Sequence, residues 1–358
     1  MMDVDRVYEY RPLATPSTLR LIKIMPEQVD DCIACKLYTV DVQQHPDIKY
    51  EALSYVWGNP KHTQRIYLAR EDEEEWSLHP LHENLWRVLR HAWELKMFDR
   101  LFWTDCLCLN QGDRDEIAQQ IPRMGSIYSN AEQVLSWLHL GEYDYRCLLE
   151  IMELFDSDHQ AAPVNFQRLQ VAAHSIASDV YWRRAWIVQE VALAKRVLVI
   201  SGNVVVDFDV LWSRLAELLR EFDADHRTLF GRDLTQSHCS MRVHCDLREA
   251  GGKMPLWKLF FEFGGYETTR PADQVYGLLG MVADNEDGSS PVEDIQIDYE
   301  RDIVAIHLDV LYKSSPPWTE LIKLANKWYV REPDFLHSRP TYGKQVSPDP
   351  VKTCLGGG

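Results

Sequence analysis

The chain has 358 residues and a formal charge of −17, from 38 Lys and Arg against 55 Asp and Glu; 46% of it is hydrophobic and 26% charged. That is the balance of a globular protein with a sizeable core, and its negative field disfavours nucleic-acid phosphates and anionic membrane surfaces as ligands. No long uncharged apolar run predicts a membrane span, and Met1-Met2-Asp3-Val4-Asp5-Arg6 lacks the features of a secretory signal. The eight cysteines show no regular disulfide spacing, so a reducing cytoplasm is the expected location.

Leu19 to Ile24 alternates apolar with basic residues and Ile33 to Val40 is rich in β-formers, so the two predict an N-terminal hairpin across an acidic turn at Asp30-Asp31. Tyr50 to Trp57 reads as a strand that stops at the turn signal Gly58-Asn59-Pro60. Ile66-Tyr67-Leu68 is a short strand before the solvated acidic loop Glu71 to Glu75. Leu81, Leu85, Val88, Leu89 and Ala92 have helical spacing, and Leu101 to Leu109 is apolar on both faces, as in a buried parallel strand.

Beyond the turn at Asn110-Gln111-Gly112, Asp113 and Glu116 have the spacing of a capping box, opening a helix that Pro122 should kink or whose start it should delay. Gln133 to Leu138 is a short buried strand, a helix comes next around Leu148 to Phe155, and a polar link leads to a helix at Trp182 to Ala194 and a strand at Val197 to Ile200. Alternating strands and helices predict an α/β fold with a mostly parallel sheet. After Val206 the pattern is mainly helical, at Leu211 to Phe222, Leu256 to Phe263 and Ile303 to Tyr312. The last forty residues are weakly patterned, with disorder expected at Gly356-Gly357-Gly358. This divides the chain into an N-terminal hairpin packed on the core (1–48), an α/β core (49–205) and a helical extension (206–358).

Five ordered blocks carry a family resemblance. They are Tyr50 to Gly58 (YEALSYVWG), Leu101 to Gln111 (LFWTDCLCLNQ), Gln120 to Leu138, Tyr181 to Ala192 (YWRRAWIVQEVA) and Arg270 to Gly280 (RPADQVYGLLG). Together they resemble the fungal heterokaryon-incompatibility (HET) domain family. The sequence departs from that pattern at Thr104, Cys106, Pro122 and His139. The resemblance implies a fungal protein that induces programmed cell death when incompatible strains fuse, through self-association and a partner protein. A looser likeness to TIR domains implies a flavodoxin-like core and NAD as a substrate, cleaved with the help of a glutamate in a Trp-x-x-Glu or similar helix.

In that reading Glu190 is the catalytic candidate. As one continuous helix, Trp182 to Ala194 puts Trp186 one turn before Glu190 and Arg183 on the same meridian. Glu190 then either contacts the ribose and stabilises an oxocarbenium-like state, with Trp186 walling the pocket, or forms a buried ion pair with Arg183. Asp105, mid-strand in an apolar run, either faces the site at the carboxyl end of the sheet or is satisfied by backbone N–H groups or an arginine. Trp57 and Gly58 end the first core strand where a nucleotide phosphate would approach, and Asn110 either lines the site or closes its turn.

The pair Cys32 and Cys35, even with His238-Cys239 and His244-Cys245, matches no standard zinc spacing, so no metal is expected. No hydrolase triad or nucleophile elbow appears. The competing expectation is a non-catalytic signalling module that recruits an executioner.

Overall fold

The computed structural model of the chain describes residues 7–59, 61–154, 165–226, 240–284, 295, 297–314 and 319. All of these but residue 319 fall in one compact unit, Met1–Ser314. The weakly patterned C-terminal stretch and its glycines lie outside the described residues.

Strands β1 (Thr18–Ile24) and β2 (Ala34–Asp41) form the expected antiparallel hairpin. They are strands of the same sheet as the core, because Ile22 of β1 pairs with Phe102. Strand β3 (Glu51–Tyr55) is buried at every residue. After it, β4 (His62–Arg70) and β5 (Ser77–His82) form a second hairpin around the acidic loop, and β4 runs parallel to β2. Leu81 therefore belongs to β5, and helix α1 (Glu83–Glu94) buries Leu85, Val88, Leu89 and Ala92.

The expected strand Leu101 to Leu109 is instead β6 (Phe102–Trp103) and then a single helical turn, α2 (Asp105–Cys108). The cause is local hydrogen bonding. The Asp105 carboxylate accepts from the Cys106 N–H at 2.7 Å, and the Thr104 carbonyl accepts from Leu107 and Cys108 at 3.2 and 2.8 Å. A short acidic side chain that satisfies neighbouring backbone competes with the strand ladder. Cys106 and Cys108 are thus buried in a turn, not in a strand.

Asp113 caps α3 (Arg114–Gln120), accepting from the N–H groups of Asp115 and Glu116. Half of the capping box is absent, because the Glu116 carboxylate turns to the buried Arg20 guanidinium at 2.6 and 2.9 Å. Pro122 sits in a 3-10 turn at Ile121–Arg123, which divides α3 from α4 (Met124–Asn130). Strand β7 (Val134–Trp137) comes next, then α5 (Glu142–Leu154) and α6 (Phe166–Ala177), the second lying within the stretch that sequence pattern reads as a polar link.

The Trp182 to Ala194 helix is broken. Val180–Arg183 is a 3-10 turn, Arg184 is extended (φ −79°, ψ 136°), and α7 spans Ala185–Ala192. Glu267 inserts there, donating its N–H to the Arg183 carbonyl at 2.7 Å and accepting from the Ala185 N–H at 3.1 Å. Strand β8 (Val197–Ser201) then pairs with an unforeseen edge strand, β9 (Val204–Asp207).

The sheet has nine strands in the order β5-β4-β2-β1-β6-β3-β7-β8-β9. Its centre, β6-β3-β7-β8, is parallel throughout. Taken in chain order, those four strands lie second-first-third-fourth, as in a flavodoxin-like doubly wound sheet. Helices complete the described chain: α8 (Phe208–His226), α9 (Ser240–Glu249), α10 (Leu256–Phe263), α11 (Asp273–Tyr276) and α12 (Ile303–Ser314).

The extension is packed on the core by close backbone contact. A Cβ built on Gly280 would strike the Gln189 Oε1 and lie 3.0 Å from the Gly125 Cα. Gln189 also donates to the Gly277 carbonyl at 2.6 Å. Gly125 and Gly280 are small because two backbones meet there.

Arg20 and Glu116 are 2% and 7% exposed, so removing one partner leaves a charge buried without its counter-ion. Glu116→Ala is expected to cost about 3–5 kcal/mol in urea unfolding, and Asp113→Ala about 1 kcal/mol. Equal losses for the two variants would contradict this assignment.

Candidate functional site

Two clefts flank the carboxyl end of β3, where the central strand order reverses and doubly wound sheets place their ligands. The larger, about 760 Å³, lies towards α1 and the ends of β7 and β8, with Tyr55, Arg87, His91, Trp137 and His139 in its wall. There the Trp137 indole donates to His91 Nδ1 at 2.9 Å, which leaves the proton of a neutral His91 on Nε2.

The smaller cleft, about 280 Å³, is built from Trp57, Gly58, Asp105, Arg184 and Trp186 together with Glu267, Thr268, Thr269 and Asp273. It collects four of the residues singled out from sequence: Trp57, Gly58, Asp105 and Trp186. Gly58 has φ +74°, and a Cβ there would strike Asn84 at 2.5 Å, so only glycine allows this turn between β3 and the following loop. Asn84 in turn donates to the Val56 carbonyl at 2.8 Å. The Trp57 indole donates to the Asp105 carboxylate at 3.1 Å, which fixes both groups at the cleft.

Arg184 is the electrostatic centre. Its guanidinium donates to the Tyr55 carbonyl at the end of β3 and acts on three carboxyl groups, those of Asp105, Glu190 and Asp273. Burial pushes the Asp105 carboxyl above its usual range, and Arg184 pulls it partly back. Asp273 is also pushed up by burial, opposed by hydrogen bonds from Tyr299 (2.7 Å) and Trp186.

Glu190 lies deeper. It is 4% exposed and is not among the residues that line either cleft. The Ser54 hydroxyl donates to its carboxylate, and Ser54 is itself 2.5 Å from the Tyr181 hydroxyl. Burial raises the Glu190 pKa from 4.5 to about 7, against the pull of Arg184 and of the Ser54 and Tyr128 hydrogen bonds.

One expectation about placement is corrected, that for Arg183, and the open alternatives for Trp186 and Asn110 are placed. Arg183 pairs with Glu267 at 3.3 Å, half-exposed, because the chain is not helical at Arg184 and the meridian through Arg183 and Glu190 does not exist. Trp186 walls the cleft as expected and lies one turn before Glu190 in α7, although Glu190 itself does not line the cleft. Asn110 closes its turn, accepting from Gly112 at 3.2 Å and donating its N–H to Glu116 at 2.8 Å, and does not line the cleft.

Arg184, Asp273 and the Glu267 to Thr269 wall were not singled out from sequence. Arg184 is adjacent to the residue that was, and only the break in the helix exchanges their roles. Asp273 stands in a block noted for its family pattern, and a carboxylate inside such a block was the available signal. Among the described residues, no group of three or more His, Cys, Asp or Glu could hold a metal ion, and no helix is long and apolar enough to cross a membrane.

A doubly wound α/β sheet with an acidic, indole-walled cleft at the end of its first core strand is thus the class of site. Residues 50–190 match the family described as Heterokaryon incompatibility protein (HET), so the chain carries a HET domain over that stretch. It is similar to Heterokaryon incompatibility protein 6, OR allele, of Neurospora crassa, at 27% identity over 340 aligned residues, covering 78% of this chain. The chain spans 50% of that relative's length. No solved structure matches.

The Glu190 shift carries a sign that can be checked. A carboxyl with a folded pKa raised above its unfolded value stabilises the fold below about pH 4.5 relative to the neutral range, and that advantage is lost as pH rises to about 7. Urea unfolding at pH 4.5 and pH 8 should therefore show Glu190→Gln gaining on the native chain by about 3 kcal/mol at the higher pH. A difference that does not change with pH would contradict a buried, neutral-leaning Glu190.

Proposed function

We propose that this chain acts in heterokaryon incompatibility as an inducer of programmed cell death, and that its HET core does so by cleaving NAD in the smaller cleft. The observation that carries the reading is the convergence of Trp57, Gly58, Asp105 and Trp186 on one cleft, around Arg184. The incompatibility role itself is supported by the HET match and by the name of the Neurospora crassa relative.

In this reading the bond between ribose C1′ and the nicotinamide nitrogen breaks, and its electron pair leaves with nicotinamide. Positive charge develops on the ribose. A carboxylate at the cleft stabilises it, and water adds to C1′ and gives up a proton, yielding ADP-ribose. Asp105, Asp273 and Glu267 are the carboxyl groups that line the cleft; Glu267 is paired with Arg183, which leaves the two aspartates for such a ligand, and the two indoles offer flat apolar walls to its rings. Glu190 then acts as a positioning residue behind them, through Ser54 and the field of Arg184. Self-association and an incompatibility partner protein complete the proposed mode of action.

A second reading rests on the enclosure of Glu190, which is hydrogen-bonded and 4% exposed, as a structural acid would be. Here the HET core is a non-catalytic signalling module that recruits a partner executioner.

The two readings part in one assay. With concentrated protein and NAD, nicotinamide release is expected from the native chain and should fall about 100-fold in Asp105→Asn and in Asp273→Asn. Toxicity in fungal cells should fall with it. Toxicity that persists in both variants, without nicotinamide release from the native chain, would sink the enzymatic reading and leave the signalling one.

A further inference from the structure

The larger cleft has no part in the proposed reaction, yet it holds the better ligand position. Tyr55 ends β3, Trp137 ends β7, and the two residues pair across the parallel ladder, so the cleft opens over the crevice between them. That crevice is where the central strand order reverses, and doubly wound sheets bind ligands there. Its volume of about 760 Å³ suits a ligand of nucleotide size. His139, in its wall, is one of the positions at which the sequence departs from the HET pattern.

The charged lining is unevenly satisfied. Its two acids are engaged by arginines that do not line the cleft: Glu94 accepts from Arg90 at 3.0 Å, and Glu142 accepts from Arg146. Arg87 gives its Nε–H to Glu83 at 2.9 Å, which leaves the outer fork of the guanidinium to the cleft. There Nη1 lies 3.3 Å from His139 Nε2. One face of a permanent cation therefore meets an imidazole nitrogen, where an anionic oxygen is the stronger acceptor. His91 lies one turn beyond Arg87 in α1, spends Nδ1 on the Trp137 indole and keeps its Nε2–H.

The opposite wall is flat and apolar. Gly202 has φ +52°, and a Cβ there would lie 2.8 Å from the Tyr145 ring, so the glycine lets that ring lie against the backbone. The Tyr145 hydroxyl accepts from the Asn203 N–H at 3.4 Å, which holds the ring from its other end. Leu138 and Leu140 continue the surface.

We infer that the larger cleft binds a nucleoside monophosphate, with its phosphate on Arg87, His91 and His139 and its base against Tyr145. A charge of −17 repels a long polyanion, which favours a single nucleotide over nucleic acid. The inference does not depend on the chemistry of the smaller cleft.

Calorimetric titration with AMP, adenosine and inorganic phosphate tests it. AMP should bind the native chain saturably and more tightly than either fragment. Arg87→Gln and His139→Gln, both at exposed positions, should each weaken AMP by about tenfold and leave adenosine unchanged. Tyr145→Leu should weaken AMP and adenosine alike, and Asp105→Asn should leave AMP binding at the native level. The proposal is overturned by a native chain that shows no saturable AMP binding in the millimolar range. Affinity unchanged in Arg87→Gln and His139→Gln would also overturn it, as would a loss confined to Asp105→Asn, which would put the nucleotide in the smaller cleft.

Discussion

Arg184 is the residue on which the geometry of the site depends. Its side chain closes onto the carbonyl of Tyr55, the last residue of the first core strand, and its backbone lies between a 3-10 turn and a helix. The same extended residue lets Glu267 insert between Arg183 and Ala185. One residue thus stands where the end of the sheet, the start of α7 and the segment that forms the far wall of the cleft meet. A cation so placed favours ionisation of nearby carboxyl groups that burial would otherwise keep neutral. Asp105, Glu190 and Asp273 all stand in that balance.

The cleft is also a joint product of the matched HET region and the helical extension C-terminal to it. Residues 50–190 supply Trp57, Gly58, Asp105, Arg184 and Trp186, whereas Glu267 to Thr269 and Asp273 come from beyond that region. The extension is held where it must be by Gly125 against Gly280 and by Gln189 donating to Gly277. Those glycines give the block Arg270 to Gly280 a physical reason. They allow the close approach that brings Asp273 to the cleft.

Sequence pattern was most informative where burial imposes a period. The N-terminal hairpin, the parallel centre of the sheet and α10 at Leu256–Phe263 come directly from apolar spacing. It misled where a polar side chain overrides the pattern. Asp105 ends β6 by bonding to Cys106, and Arg184 interrupts a run that is apolar almost all round. Periodicity weighs apolar faces and cannot see that a single guanidinium has a better partner in the carbonyl of Tyr55. The same limit explains the site residues. Trp57, Gly58, Asp105 and Trp186 were visible as chemistry at turns and helix starts, but Asp273 depends on a contact between residues 88 apart in sequence, Gln189 and Gly277. Strand β9 was missed because a four-residue edge strand has too little length to show a period.

The central claim is that Arg184, and not Arg183, is the cation that governs the buried acid. Carbon-13 NMR of labelled glutamate carboxyls, monitored through pH, reads it directly. The native chain should show Glu190 titrating near pH 7. Its midpoint should move upwards in Arg184→Gln and stay in place in Arg183→Gln, since Arg183 is half-exposed and paired with Glu267. A midpoint that ignores Arg184→Gln, or that shifts with Arg183→Gln, would contradict it.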